Sequence, residues 1–362
     1  MSKLKSLTLK GYKSIEALEA FELGGGLNVL IGANGAGKSN FISLFRLLSE
    51  LAAGRLEAFV QEERGADALL FKSRKHTKQI DAEFYFGRNG YRISLKPVGQ
   101  SLFFAREETW FAGDFATTSH SLGSGHRETK LAESIATDAF SRWVKPAVSG
   151  WRVFHFHDTS ATAGMRNAEP VRDNLALHPN AENLAPFLRR LREQHPSEFK
   201  AILEAVRIVA PFFGDLVYRK NAATAELEWF HAGDRDTPLG PLQLSDGTLR
   251  FLCLATLLLQ PADYQPDTIL LDEPELGLHP AALGVLAGML HRAAEKKQII
   301  VSTQSTELVD ELPPDEIIVV EREGGATTFK RLEAAPLEDW LKDYRMGDLW
   351  KMNVLGGGAK RD

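Results

Sequence analysis

A short glycine-rich run near the amino terminus has the residue types and spacing of a phosphate-binding loop. The pattern G-x-x-x-x-G-K-[ST] is met by Gly32, Ala33, Asn34, Gly35, Ala36, Gly37, Lys38 and Ser39. Because glycine has no Cβ, such a loop can turn several backbone N–H groups toward one anion. Lys38 adds a positive charge for the β- and γ-phosphates, and the Ser39 hydroxyl is placed to ligate Mg2+. The run predicts a site for ATP and Mg2+, to which we add the neighbouring Asn40.

The segments on either side of this loop have the pattern that such a site requires. Residues 26–31 form an apolar run that is typical of a short buried strand. After the loop, apolar side chains recur at helical spacing, and Gly54 can end the helix; they are Phe41, Ile42, Leu44, Phe45, Leu47, Leu48 and Leu51. A helix that begins at the loop adds partial positive charge where the phosphates bind.

A second group of chemically active residues lies in the carboxyl-terminal third. The apolar run 268–271 leads directly into Asp272 and Glu273, the arrangement called Walker B. An acid at the end of a strand can hold the Mg2+ that bridges the phosphates. A second acid beside it can orient and deprotonate the attacking water. We predict that Asp272 is a metal ligand and that Glu273 is the catalytic base.

A third motif precedes an apolar helix predicted at 251–259. Ser245, Asp246 and Gly247 begin the run Ser-Asp-Gly-Thr-Leu-Arg. A serine at a helix start, followed by a glycine, makes a site for an anion.

These motifs resemble those of the ABC-type ATPases in their SMC/RecF form, and their order along the chain is the same. Residues 244–250 resemble the signature motif, residues 273–280 resemble the D-loop region of RecF-like predicted ATPases, and residues 301–305 lie at the switch. The overcoming-lysogenisation nucleases share these features. Further likeness covers residues 151–160, 180–193 and 344–356, so that most of the chain resembles this family.

The resemblance implies a mechanism and a partner. In that superfamily two ATPase heads bind head to tail and enclose two nucleotides, so Ser245, Asp246 and Gly247 would close on the γ-phosphate bound to the other copy. Gln304 stands where the family has a switch histidine. A glutamine can hydrogen-bond the γ-phosphate or the attacking water but cannot carry a proton charge.

Composition limits the classes of function. The chain has 362 residues, a net charge of −5 and one cysteine, Cys253, which excludes an internal disulfide and fits a reducing cytoplasm. Residues 1–5 show no signal peptide, and no apolar run reaches the about 20 residues that span a bilayer, so we expect a cytoplasmic protein without membrane contact. Because the net charge is negative, any contact with DNA must use a local basic patch. The candidate residues for such a patch are Lys72, Arg74, Lys75 and Lys78.

The order of elements predicts an α/β P-loop NTPase fold. Strands alternate with helices after residue 268, which favours a parallel sheet that takes in the P-loop strand, and residues 80–95 predict a β-hairpin. With the resemblance, we expect one ABC/SMC-like bilobed ATPase head over 1–362 with a mixed or parallel sheet. Within it we expect a P-loop and antiparallel β region over 1–98, an inserted flexible or helical segment over 99–150, a helical and short-strand lobe over 151–240, and a region over 241–362 that carries the signature, Walker B and switch.

Some patterns leave alternatives open. His155, His157 and Asp158 could ligate a metal, because alternate strand residues share a face, but a structural or interface role is favoured. Gln61 and Gln79 are both candidates for the family's Q-loop glutamine.

Three functions compete on the sequence alone. The favoured one is an ATP-hydrolysing RecF/SMC-like ATPase that dimerises on ATP and acts in DNA repair or maintenance, or in defence against foreign DNA. The second is the ATPase component of a nuclease-type defence complex with a separate protein effector. The third, a transporter's nucleotide-binding subunit, is disfavoured by the RecF-like D-loop region.

Overall fold

Two sheets of six strands each organise the described residues, 3–220 and 222–358, of the computed structural model. The predicted regions 1–98 and 241–362 also include Met1, Ser2 and residues 359–362, which lie outside the described residues. The strands are β1 (Ser6–Tyr12), β2 (Ile15–Glu22), β3 (Leu27–Ile31), β4 (Ile80–Phe86), β5 (Asn89–Val98), β6 (Ser101–Ala112), β7 (Thr117–Gly123), β8 (Trp151–Phe154), β9 (Glu169–Pro170), β10 (Phe213–Val217), β11 (Thr224–Ala225), β12 (Glu228–His231), β13 (Thr268–Asp272), β14 (Gln298–Thr303), β15 (Ile317–Glu323) and β16 (Ala326–Arg331).

Helices connect and cover these strands. They are α1 (Lys38–Ala52), α2 (Leu56–Glu62), α3 (Ala66–Leu69), α4 (Ser73–His76), α5 (Leu131–Ser134), α6 (Ser141–Ser149), α7 (Leu184–Gln194), α8 (Pro196–Val209), α9 (Asp246–Leu259), α10 (Ala281–Ala294), α11 (Thr306–Val309) and α12 (Met346–Lys351). The predicted signature helix is longer than expected, because it begins directly after Ser245, which caps it.

The first sheet is mixed, as predicted, and contains the P-loop strand. Its order is β16-β15-β3-β14-β13-β8, in which every neighbouring pair except β15 and β16 is parallel. Strand β14 lies between β3 and β13, with Val301 opposite Val29 on one side and Leu271 on the other. Since parallel strands end at the same edge, the P-loop, the Walker B acids and the switch residue meet there.

The two faces of this sheet pack against different helices. Leu30, Leu270 and Ile300 point into a core that they share with α1 and the antiparallel sheet. Val29, Leu271 and Val301 point into the opposite core, which contains the apolar residues of α7 to α10. Side chains alternate across a strand, so this division follows from the strand register. The P-loop helix α1 and the signature helix α9 therefore lie on opposite faces of the sheet.

The second sheet is antiparallel, with the order β2-β1-β4-β5-β6-β7, and it confirms the predicted hairpin of β4 and β5. The prediction of an inserted flexible or helical segment at 99–150 was wrong in its first half, because β6 and β7 continue the sheet there. The polar composition of this segment was misleading, because β7 is an edge strand. Its side chains before Leu122 are exposed, and Leu122 is buried. The second half of the segment contains two short helices, α5 and α6.

Among the described residues, no helix has the length and apolar character needed to cross a bilayer.

Candidate nucleotide-binding site

The glycine-rich loop joins β3 to α1 and has the backbone geometry that its glycines permit. Gly35 has φ +78° and Gly37 has φ +114°, both in the region that favours glycine. A Cβ on Gly37 would collide with Thr327, and one on Gly32 would collide with the carbonyl oxygen of Val320. The loop is therefore packed closely against β15 and β16, and these positions cannot accept a side chain without a shift.

Lys38 is buried at the start of α1 and points back into the loop. Its Nζ donates to the carbonyl oxygens of Gly32 at 2.6 Å and of Ala33 at 3.2 Å. Burial lowers the pKa of this ammonium, while nearby acids act in the opposite direction; they are Glu273, Asp272 and Glu275. A buried cation beside the loop N–H groups, with acids close enough to act on its charge, fits a nucleotide phosphate with its Mg2+.

Two residues that sequence reasoning missed support the loop from behind. Thr327 of β16 donates to the carbonyl oxygen of Ala36 at 2.8 Å and lies 2.7 Å from the Ser14 hydroxyl. Asn40 donates to the same Ser14 hydroxyl at 2.7 Å. This chain of bonds links the loop to both sheets, and nothing in the sequence near Ser14 or Thr327 indicates it.

The carboxyl-terminal segment also contacts the loop. The N–H of Ala33 donates to the carbonyl oxygen of Gly357 at 2.9 Å, and the Gly357 N–H donates to Glu321 at 2.9 Å. The predicted loop residues Asn34, Gly35 and Ser39 are all exposed.

The predicted Walker B acids lie at the end of β13, beside the end of β14. The Ser302 hydroxyl donates to Oδ1 of Asp272. Glu273 adopts a left-handed backbone conformation, φ +46°, and its N–H donates to the carbonyl oxygen of Ser302 at 2.8 Å. A non-glycine residue in this conformation costs about 1–3 kcal/mol, and such residues cluster at functional sites.

The structure brings the two predicted catalytic residues into direct contact. Nε2 of Gln304 donates to Oε1 of Glu273. Glu273 follows β13 and Gln304 follows β14, so the parallel pairing of these strands places the side chains together. A hydrogen bond between an exposed glutamine and the predicted base is suited to orienting a water molecule that both can reach.

A third acid, Glu275, completes the group. Its Oε1 accepts hydrogen bonds from the Thr303 hydroxyl at 2.5 Å and from the Gln304 N–H at 3.1 Å. Burial raises the pKa of this carboxyl group above its ordinary value, although these hydrogen bonds oppose the shift. The sequence places Glu275 within the D-loop region, but only the fold shows that it faces the switch.

The signature motif forms a capped helix start, as predicted. The Ser245 hydroxyl oxygen accepts from the N–H of Thr248 at 3.2 Å. The exposed Asp246 carboxylate pairs with the buried Arg166 at 2.7 Å. Gly247 lies so close to the D-loop that a Cβ would be 2.8 Å from the carbonyl oxygen of Gly277. The signature therefore packs against the D-loop of its own chain.

Arg250 is a structural residue within this motif. Its buried guanidinium donates to the carbonyl oxygens of Phe156 and His157, both at 2.9 Å, and to that of Leu276. It thereby ties α9 to the segment after β8 and to the D-loop.

The candidate metal ligands after β8 do not form a cluster. The ring centroids of His155 and His157 are 6.4 Å apart, and Asp158 accepts from the N–H of Ser160. Among the described residues, no group of three or more His, Cys, Asp or Glu side chains could hold a metal ion. A structural or interface role stays the favoured interpretation of these residues.

The predicted basic cluster surrounds the short helix α4. Arg74 pairs with Asp67 at 2.7 Å, and Lys78 donates to the carbonyl oxygen of Arg74 at 3.1 Å. Nζ of Lys72 lies 4.9 Å from the centroid of the Phe71 ring. Part of the cluster's charge is thus neutralised within the chain. Of the Q-loop candidates, Gln79 donates to Asp81, and Gln61 is exposed on α2.

The fold and the order of these motifs define an SMC/RecF-like ATPase head with a P-loop NTPase fold. The chain belongs to the family described as "AAA domain, putative AbiEii toxin, Type IV TA system", whose model matches residues 27–310.

Among the proteins similar to this chain are Smc proteins. The chromosome partition protein Smc of Desulfitobacterium hafniense (strain Y51) is 43% identical over 61 residues, which are 17% of this chain and 5% of that protein. This chain thus matches only a small fraction of its length. An Smc head bound to the C-winged helix domain of ScpA has a TM-score of 0.64 at 18% identity, covering 92% of this chain and 99% of that one. A Pyrococcus furiosus Smc head with an extended coiled coil, bound to the C-terminal domain of ScpA, has a TM-score of 0.56 at 14% identity, covering 95% and 99%. At these identities the likeness concerns the fold.

Proposed function

We propose that this protein binds ATP with Mg2+ and hydrolyses it to ADP and phosphate. The observation that carries the proposal is the convergence of three elements at one sheet edge: the buried Lys38 of the P-loop, the acids that follow β13, and Gln304. Each element has a separate task in phosphoryl transfer, and only their meeting at one place makes a catalytic site.

The residues have distinct roles in this proposal. The loop N–H groups and Lys38 bind and orient the phosphates. Ser39 and Asp272 would hold Mg2+, which neutralises charge on the phosphates when it is bound. Glu273 accepts a proton from the attacking water, and Gln304, bonded to Glu273, holds that water in line.

We propose further that two copies form a head-to-tail dimer on ATP binding. The helices α1 and α9 lie on opposite faces of the sheet, which supports a signature that acts on the nucleotide of another copy. Ser245, Asp246 and Gly247 would then contact the γ-phosphate bound to a second copy, as the family resemblance implies.

The first experiment measures ATPase activity with and without duplex DNA, for the wild type, Glu273→Gln and Glu333→Gln. Glu333 is an exposed acid beyond β16 and serves as the matched control. We expect hydrolysis by the wild type and the control, and loss of at least about 100-fold in Glu273→Gln, because the general base is removed. Equal activity of all three proteins would show that Glu273 is not the base.

The second experiment tests the dimer by light scattering with and without ATP. Glu273→Gln keeps Asp272 and Ser39, so ATP should persist and the variant should accumulate as an ATP-dependent dimer. Adding Ser245→Arg should return it to monomer by blocking the second phosphate contact, whereas Ser124→Arg, in an exposed loop, should not. A species that is the same under all conditions would contradict the sandwich mechanism.

We propose a setting in DNA repair or maintenance, or in defence against foreign DNA. The family description names a toxin of a toxin–antitoxin system, which favours the defence setting. It also supports the second candidate, an ATPase component that works with a separate protein effector, and the similar Smc heads are bound to a domain of another protein, ScpA. Affinity purification from cells under ATP and ADP, followed by identification of bound protein and DNA, distinguishes an ATPase that acts on DNA from one that works with a separate protein effector.

Contact with DNA, where it occurs, should be electrostatic. The charges around α4 would neutralise phosphates and release counterions, so affinity should fall steeply with salt. Replacing Lys72, Lys75 and Lys78 by alanine should reduce the salt slope, while Arg74→Ala should have less effect because Asp67 already pairs with it. A flat salt response would remove DNA from the direct partners.

A further inference from the structure

Glu275 occupies a place that no role assigned above explains. It lies two residues beyond the predicted base Glu273 and turns its side chain toward the end of β14. One oxygen, Oε1, accepts from both the Thr303 hydroxyl and the Gln304 N–H. The other oxygen, Oε2, is buried and has no hydrogen-bond partner among the described residues. A buried carboxylate with an unsatisfied oxygen is costly, and such a group usually serves a purpose.

The bonds to Glu275 fix the backbone at the point where β14 ends. Thr303 is the last residue of the strand, opposite Ile31 of β3, and Gln304 is the first residue outside the ladder. Beyond this point side-chain hydrogen bonds, and not strand pairing, hold the backbone in place. The Thr303 hydroxyl oxygen also accepts from the N–H of Ser305 at 3.0 Å, and Ser305 caps α11.

The same turn aims the Gln304 side chain at Glu273. The N–H of Gln304 is held by Glu275, and its side-chain amide donates to Glu273. Glu273 and Glu275 both follow β13. One short segment therefore carries the catalytic base and also the residue that positions Gln304, which is bonded to that base. A shift of the backbone at Gln304 would therefore separate the glutamine amide from the base.

We infer that Glu275 is a positioning residue for ATP hydrolysis: by accepting from Thr303 and Gln304 it holds the Gln304 amide against the catalytic base. This inference rests on the proposed ATPase activity. What it requires of position 275 is an acceptor oxygen at Oε1, not a negative charge.

The test compares steady-state ATPase kinetics of the wild type, Glu275→Ala, Glu275→Gln and Thr303→Val, with nucleotide affinity measured separately by a fluorescent ATP analogue. Misplacing a reactive group by about 1 Å can cost about 100-fold in rate, so Glu275→Ala should lose roughly tenfold to 100-fold in kcat. KM and nucleotide affinity should stay near the wild-type values, because the P-loop is unchanged. Glu275→Gln keeps the acceptor and should retain activity within about threefold.

Thr303→Val tests the same link from the other side and guards against a folding defect in Glu275→Ala. Valine has the shape of threonine without the hydroxyl donor, so kcat should fall while the Gln304 N–H bond remains. Glu333→Ala is the exposed control and should behave as the wild type.

The outcomes separate this inference from the proposed function. A wild-type protein without ATPase activity would refute the proposed function itself. With an active wild type, three results would overturn the inference: an active Glu275→Ala, a loss in Glu275→Gln as large as in Glu275→Ala, or a loss that appears only in nucleotide affinity.

Discussion

Replacing Arg250 with alanine should destabilise the protein strongly, although the residue lies in a motif expected to act on nucleotide. Its side chain is only 7% exposed, and its guanidinium donates to the backbone carbonyl oxygens of Phe156, His157 and Leu276. Alanine removes all three donors, so water or a backbone shift must replace the lost bonds.

The size of the effect follows from these contacts. A hydrogen bond made by a charged group contributes about 1.5–3 kcal/mol. Three bonds from one side chain do not add fully, and Leu276 is exposed, so that water can reach its carbonyl group. We therefore expect a loss of about 3–5 kcal/mol in the free energy of unfolding, a large fraction of the about 5–15 kcal/mol typical of a folded domain.

Urea unfolding followed by circular dichroism measures this loss. Arg250→Lys keeps the charge but has a single ammonium that cannot span three acceptors, so it should lose about half as much. Arg235→Ala, at an exposed position, should stay within about 0.5 kcal/mol of the wild type. If Arg250→Ala unfolds within about 1 kcal/mol of the wild type, the reasoning from buried hydrogen bonds is refuted.

Three further predictions concern the loop and the antiparallel sheet. Lys38→Ala should abolish binding of a fluorescent ATP analogue, because the phosphate charge is left to neutral N–H groups; near wild-type affinity would show that the loop is not the nucleotide site. Gly37→Ala should also weaken this binding at least about tenfold, since its Cβ would collide with Thr327, whereas Gly54→Ala, also at positive φ but facing open space, should not. Burial raises the pKa of Asp138, but hydrogen bonds from Ser141 and Thr109 outweigh it and lower the pKa overall. Asp138 therefore stabilises the fold above its unfolded pKa of about 4 and loses this effect as the pH falls, so Asp138→Asn should lower the urea midpoint at pH 7 and make little difference near a pH of about 2.

The sequence by itself determined the local machinery. The P-loop, the Walker B acids and the capped signature are each contained in one short segment, so residue type and spacing are enough to identify them. The buried strands β3, β13 and β14 are continuous apolar runs, and α1 has clear helical spacing, because each must bury its apolar side chains. From these elements the P-loop fold, with a parallel sheet that takes in the P-loop strand, could be predicted.

Only the tertiary structure showed which residues from distant parts of the chain contact these motifs. The side chains of β7 are mostly exposed on an edge strand, so its polar sequence carried no strand signal. Ser14 and Thr327 support the P-loop from two different sheets, and Glu275 meets Gln304 through the pairing of β13 with β14. Such contacts join residues far apart in the chain. They depend on strand order and register, which are set by the packing of the whole core and not by any local pattern.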